Sequence, residues 1–377
     1  MKPIGPGQRG TTTVLSACLL IALIGQVARA GEGVVQTRSG GYWILTGSPL
    51  LGVEDQTATM LSTGKVLIAG GSNPADEAQL YDPRTGTWTI TGKMHYPRLV
   101  ATATLLQSGK VLVAGGVNQN GESESTAERY DPLTGTWRTT ASMNAARSGH
   151  TATLLQDGRV LAAGGQTHTG IVRTAEIYRP ATHQWVRTGS MGHTRNFAQA
   201  VLLHSGMVLV IGGIANDQPL TSAELYNPES GTWSPTASMS QGRWGHTATM
   251  LPDGRVLAVG GCCGADGRVS STAEIYDASS GTWTPTGSMS VAREWASATL
   301  LADGLVLVAG GTNEIGTEFT SAELYDPGMG SWLPTGSMTY ARSQYTLTLL
   351  PDGHVLSVGG ADQAYQSAEL YIPPAGA

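Results

Sequence analysis

Charge is scarce in this chain: only 13% of its 377 residues are Asp, Glu, Lys or Arg, and cysteine is scarcer, with three. Past the first thirty residues no apolar run approaches the length of about eighteen that a membrane helix requires, so no span is expected there. The glycine-rich stretches, such as Gly115-Gly116 through Gly121, end in strand-like runs and lack the Gly-Lys-Ser/Thr signature of a phosphate loop. No Gly-x-Ser-x-Gly elbow occurs, which removes the usual acyl-transfer nucleophile. His-x-His and His-Glu-x-x-His are both missing, and the eight histidines are scattered apart from His150 and His246, which share a repeat position. The expected metal and cofactor complement is therefore none.

Residues 1–30 read as a cleaved secretory signal. Lys2 and Arg9 supply the positive start, Val14 to Ile24 form an apolar run of eleven, and Ala28-Arg29-Ala30 gives the small-x-small pattern of a cleavage site. Leu15-Ser16-Ala17-Cys18 resembles a lipoprotein box, but most of the apolar run follows Cys18 instead of preceding it. Cleavage removes three basic residues and no acid, leaving 19 basic against 28 acidic side chains. An acidic surface repels phosphate backbones, so nucleic acid is excluded as a partner. A secreted or periplasmic, monomeric protein is expected, with residues 31–377 forming one domain.

What is abundant is glycine, 51 residues, and repetition. A diglycine closes an apolar run at Gly70-Gly71, Gly115-Gly116, Gly164-Gly165, Gly212-Gly213, Gly260-Gly261, Gly310-Gly311 and Gly359-Gly360. Self-similarity at a period near fifty residues marks a radial β-array. Each copy divides into four strand-like segments. In the third, His150 to Leu155 alternates small polar and apolar residues, Asp157-Gly158 supplies a tight turn, and Arg159 to Ala163 returns to the diglycine. A third segment, Ala175-Glu176-Ile177-Tyr178 here, leads through a turn to a fourth anchored by Trp185; Trp88, Trp137, Trp233, Trp283 and Trp332 hold the same place elsewhere.

A diglycine, then a Tyr, then a Trp, with Met-x-x-x-Arg entering the next copy, resembles the kelch repeat over essentially the whole chain after residue 30. That resemblance implies an all-β, seven-bladed kelch β-propeller in which each blade is a four-stranded antiparallel sheet. The last copy stops at Ala368-Glu369-Leu370-Tyr371, and its missing fourth strand is supplied at the other end by Gly41-Tyr42-Trp43-Ile44-Leu45. The N-terminal strand is therefore expected to pair into the last blade and close the ring, leaving no open sheet edge to invite aggregation.

A residue present in every copy is needed to build a blade, so the site is sought where copies differ. Arg98, Arg147, Arg195, Arg243, Arg293 and Arg342 share one position and could form an anion-receiving ring, or could each bond carbonyls and a carboxylate within the architecture. The first copy breaks the series with Val53 beside Glu54 and Asp55. The resemblance places the loop after the diglycine and the loop joining blades on one face that commonly binds partners. Trp244, Trp295, Phe197 and Tyr345 stand in those loops, where aromatics can stack on sugar rings, anchor a protein, or pack between blades. Binding residues on this reading are Trp244, Trp295, Phe197, Tyr345, Arg243, Arg293, Arg147 and Arg342. Cys262 and Cys263 adjoin in one post-diglycine loop, and an adjacent disulfide is expected in an oxidising compartment.

The expected function is an exported scaffold that recognises a glycan or an extracellular protein, with no catalytic residue assigned. The alternative is a carbohydrate-active enzyme. Sialic-acid mutarotases are similar in size, export signal and repeat type, and an arginine-lined rim with Glu54, Asp55 or Glu294 as acid-base group would suit them. Galactose-oxidase-like proteins share the propeller, but their adjacent Tyr-His pair is matched here only by the reversed His95-Tyr96.

Overall fold

The computed structural model describes residues 40–71, 75–262, 268–361 and 364–374. The expected cleavage site at Ala30 and residues 31–39 lie outside them. Seven four-stranded antiparallel sheets make up the architecture, joined by two short hairpins, Gln166–Thr167 with Gly170–Ile171 and Ile214–Ala215 with Gln218–Pro219. In each blade the second strand, such as Val160–Ala163, is buried along its whole length, whereas the fourth alternates outward residues with one inward Trp. This is the difference between a strand covered on both faces and an edge strand. The seven first strands, beginning at Thr57, Thr102, Thr151, Gln199, Thr247, Ser297 and Thr346, touch one another in a closed circle and so lie innermost. Among the described residues no helix is long and apolar enough to cross a membrane.

The ring closes as the sequence predicts. Tyr42–Leu45 pairs with Ala368–Ile372 in the register Trp43↔Tyr371, and the two rings stand 5.1 Å apart. Every blade repeats this Tyr–Trp pair, and every such tyrosine hydroxyl meets a threonine of the preceding blade, as in Thr46–Tyr81 at 2.8 Å and Thr335–Tyr371 at 2.7 Å. The indole N–H of Trp43 donates to Gly336 O at 2.9 Å, so the seam of the ring carries the interblade bond that Trp88, Trp137, Trp233, Trp283 and Trp332 make elsewhere.

The turn after the first strand differs in one respect. Leu155 N donates to Arg159 O at 2.8 Å and Gly158 N to Leu155 O at 3.0 Å, which makes Gln156-Asp157-Gly158 a three-residue loop instead of a two-residue one. Gly158 takes φ +84° there, the left-handed residue that such a loop ends on.

The diglycine has a steric cause. A Cβ on Gly70 would lie 2.5 Å from the carbonyl oxygen of Arg98, at the entry to the next blade. The N–H of Gly71 donates to that same carbonyl at 3.0 Å, and all seven copies repeat the bond. Blades therefore dock backbone to backbone at these glycines.

Candidate functional site

The arginines lie buried inside the blades. Arg98, Arg147, Arg195, Arg243, Arg293 and Arg342 are at most 1% exposed. Arg147 shows the common pattern: Nη1 donates to Gly164 O and Thr174 O, and Nη2 to Thr174 Oγ1 and to Glu176 Oε1 at 2.9 Å. Glu176 also accepts the backbone N–H groups of Asn144 and Ala145. Burial pushes its carboxyl up, but these donors outweigh burial and hold it below the usual range. The expectation that Arg147, Arg243, Arg293 and Arg342 receive a ligand is corrected accordingly: each is committed to its own blade, through a carboxylate that fixes the Met-to-Arg turn. Where Arg is missing, Glu is missing too. Blade 1 carries Val53 and Gln79, and Gln79 Oε1 accepts Leu50 N at 2.9 Å in the place of the carboxylate.

Two residues past each arginine, the chain turns left-handed in all seven copies. Asp55, Val100, Gly149, Phe197, Gly245, Trp295 and Gln344 have φ between +51° and +61°. These residues form a belt at the end of the innermost strands, on the face that carries the post-diglycine loops. Neighbouring blades bond across it: Val100 N donates to Asp55 O, Phe197 N to Gly149 O, Trp295 N to Gly245 O and Asp55 N to Gln344 O, at 2.8–3.2 Å. Five of the seven are not glycine, and a β-branched Val in this conformation is strained.

The glycines of the belt make room for the aromatics. Phe197 lies over Gly149 of the preceding blade, where an added Cβ would meet its ring at 3.0 Å, and Trp295 lies over Gly245 at 3.3 Å. Phe197 and Trp295 stand edge to face at 5.2 Å, and Trp244 and Trp295 at 5.3 Å, with Phe197 and Trp244 at 6.2 Å. Three of the four sequence-predicted aromatics thus form one half-buried cluster that both packs between blades and faces the aperture. Tyr345 is apart from it: 6% exposed, with its hydroxyl donating to Ala309 O at 2.7 Å and burial pushing its phenol up.

Inside the belt opens a cavity of about 530 Å³. Phe197, Trp295, His150, His246, Thr247 and Thr346 are in its wall, and none of the described residues that line it is Asp, Glu, Lys or Arg. His246 is 2% exposed and neither ring nitrogen has a partner among the described residues; His150 Nδ1, Thr247 Oγ1 and Thr346 Oγ1 are also unpartnered. Burial, then the nearby guanidinium of Arg147 or Arg243, pushes both imidazoles down to about 3, so they are neutral. The nearest belt carboxyl, Asp55, is pushed up to about 6 by burial and then by Glu54. Burial and then Glu314 raise Glu294.

The two histidines were visible in the sequence as a shared repeat position without an assigned role. The missed signal is an alternation: Gly149-His150 and Gly245-His246 take turns with Phe197-Ala198 and Trp295-Ala296 around the ring. Cys262 is disulfide-bonded and exchanges backbone hydrogen bonds with Trp244 at 2.8 and 2.9 Å. Cys263 lies outside the described residues, and with it the expected adjacent pairing. Among the described residues no three of His, Cys, Asp and Glu converge as a metal site would need.

A family model described as the KLHDC2/KLHL20/DRC7 Kelch-repeats domain matches residues 56–261, and one described as the Kelch motif matches residues 244–290. No curated protein matches the chain in sequence. Among solved structures, a novel fungal alcohol oxidase of the AA5 family in complex with copper is similar at a TM-score of 0.72. It is 18% identical, over 90% of this chain and 77% of that one. A structure of YjhT is similar at a TM-score of 0.57 and 18% identity, over 74% of this chain and 96% of that one. At such identity the likeness concerns the fold.

Proposed function

The chain belongs to the kelch-repeat family, and from that premise we propose that it is an exported binding scaffold that takes a glycan on the loop face of its propeller. The observation that carries this reading is the Phe197–Trp244–Trp295 cluster at the aperture. The blade itself does not need it, since other copies place Leu99, Val100 or Ser148 at the same positions. Half-buried indoles offer a flat apolar face with a polar edge, which suits the C–H face of a sugar ring. An extracellular protein docking on the same rings is the second reading. The sugar-converting alternative loses the feature that recommended it, because the arginines are sequestered with glutamates and cannot receive a carboxylated sugar. Export and a secreted or periplasmic location rest on the signal-like residues 1–30, and a monomer on the closed ring.

The test is a glycan array with thermal-shift follow-up on residues 31–377, repeated with Trp244→Ala and Trp295→Ala. Loss of one stacking face should weaken glycan binding about tenfold or more. Wild-type protein that retains no glycan would turn the assignment to the protein-binding reading.

A further inference from the structure

We infer that the outer groove between blade 2, whose strands run from Thr102 to Thr139, and blade 3, from Thr151 to Arg187, is a site for a tetrahedral oxyanion. Arg129 and Arg138 hold the sulfate or phosphate group from one wall, and Arg187 approaches it from the other. The site lies on the third and fourth strands of its blades and does not depend on the glycan reading of the loop face.

Strand pairing places the three arginines together. Arg129 and Arg138 are direct partners across the antiparallel strands Ala127–Asp131 and Thr136–Thr139. The adjoining pair, Tyr130 and Trp137, packs on blade 1 with Leu67 and Met94, so alternation along the strands turns both arginines to the opposite face, toward blade 3. Arg129 Nη1 accordingly meets His183 Nε2 of blade 3 at 3.1 Å. In blade 3 the Tyr178–Trp185 pair packs back on blade 2 with Leu106 and Leu112, and Arg187, two residues past Trp185, shares that face. Arg138, His183 and Arg187 are exposed. Arg129 is half-buried: its Nε is buried, whereas its Nη2 has no partner and is not.

These residues depart from the repeat, so no blade needs them. The place of Arg129 is Leu or Ile in the six other blades, and that of Arg138 is Thr, Ser or aliphatic. His183 stands where the other copies have glycine, as at Gly86 and Gly135, and keeps their left-handed backbone at φ +59°. Departures in two neighbouring blades thus meet in one groove.

Charge sets the ligand class. Lys65, Arg84, Lys93, Lys110, Arg159 and Arg255 each pair with an aspartate. Arg129, Arg138 and Arg187 pair with no carboxylate among the described residues. The acids beside them are taken: Asp131 by Lys110 at 2.6 Å, and Glu176, across from Arg187, by Arg147 at 2.9 Å. Like charges directly opposite across two strands repel, yet a chain of net charge −6 leaves this pair uncompensated. Burial, then Arg129 and Lys110, push the His183 imidazole down, so its neutral ring can accept from Arg129 and steady that guanidinium. A dianion offsets both cations, where a carboxylate would offset one, and the planar forks of arginine match the oxygens of sulfate and phosphate.

The experiment titrates the protein with inorganic sulfate, inorganic phosphate and a sulfated heparin tetrasaccharide at an ionic strength held constant with chloride. Calorimetry and the ¹H–¹⁵N signals of the arginine side chains follow binding. At least one probe should bind one to one and shift the Arg129 Nε–H signal. Arg129→Leu/Arg138→Thr installs what blade 1 has at these places, Leu80 and Thr89, and should weaken binding at least tenfold. Arg173→Ser/Arg179→Asn removes the same charge elsewhere in blade 3 and should change affinity less than twofold. Equal loss in the two variants would mean diffuse attraction and overturn the site, as would full binding in the first variant or no binding of any probe. If the first variant fails to fold, an unmoved Arg129 signal in saturated wild-type protein overturns the assignment alone. Of the supporting results, equal affinity for inorganic anion and tetrasaccharide identifies a free anion as the ligand, and a tenfold preference for the tetrasaccharide identifies a sulfated chain.

Discussion

Blade 1 is a natural experiment on the buried ion pair of the other six. It replaces Arg and Glu together, by Val53 and Gln79, and the substituted amide still accepts the Leu50 N–H. This predicts strong coupling between Arg147 and Glu176, each about 1% exposed in the side chain and 2.9 Å apart. Arg147→Val alone strands a buried carboxylate and should cost about 4 kcal/mol; Glu176→Gln alone strands a buried guanidinium and should cost about 3 kcal/mol. The double variant, which reproduces blade 1, loses the charges as a pair and keeps an acceptor for Asn144 N, so it should cost about 4 kcal/mol, not the sum. The coupling is then about 3 kcal/mol, read from urea midpoints followed by tryptophan fluorescence. Single costs that add to within about 0.5 kcal/mol would refute the claim that the pair acts as one unit.

The terminal strand and the histidines give two further tests. Trp43→Ala should lower stability by about 3–5 kcal/mol, because it removes a core ring, the Gly336 bond and the closing contact with Tyr371; an unchanged melting temperature would mean that the ring does not depend on its last strand. His150 and His246 have folded-state values depressed from 6.5 to about 3, so their stabilising effect is present above pH 6.5 and is lost as pH falls toward 3. From about pH 7 to about pH 5 each should remove about 2 kcal/mol, and Asp55, whose value is raised to about 6, should return about 1 kcal/mol as it protonates. A His150→Gln/His246→Gln variant that keeps the full wild-type pH slope in urea melts would show that these imidazoles are not the source.

The sequence carried the blades and their closure because both rest on repeated local chemistry: glycines where backbones touch, a Tyr and a Trp that pair, and a strand missing at one end and present at the other. The paired loss of Arg and Glu was legible too, in Val53 and Ala78-Gln79, but it becomes meaningful only once the two side chains are seen to meet. That three of the four rim aromatics gather could not be read from spacing, since Phe197 and Trp295 lie two residues past their arginines but Trp244 only one. Their convergence depends on a left-handed turn at non-glycine residues, which no residue preference announces. The arginines misled for a physical reason: a long charged side chain in a loop near a rim is legible as a position, whereas its burial depends on carbonyls and a glutamate some thirty residues away.

A ring of near-identical blades needs asymmetry to hold a ligand, and at the aperture it is confined to two residues per copy beside a strained belt. Strain of roughly 1–3 kcal/mol for each non-glycine left-handed residue persists only when the surroundings over-determine it, and the interblade bonds from Val100 N, Phe197 N, Trp295 N and Asp55 N are what hold it. Such a belt fixes Phe197 and Trp295 before any ligand arrives, so ordering them costs little on binding. Val100 lines the same cavity but has φ +51° and no aromatic ring to present, so its strain can be tested apart from the aromatic cluster. Val100→Gly should therefore stabilise the propeller by about 1 kcal/mol, the relief exceeding the added freedom of the unfolded chain. A loss of stability in Val100→Gly would mean that its side-chain packing, and not backbone strain, dominates at this position, and the belt would then be an ordinary turn.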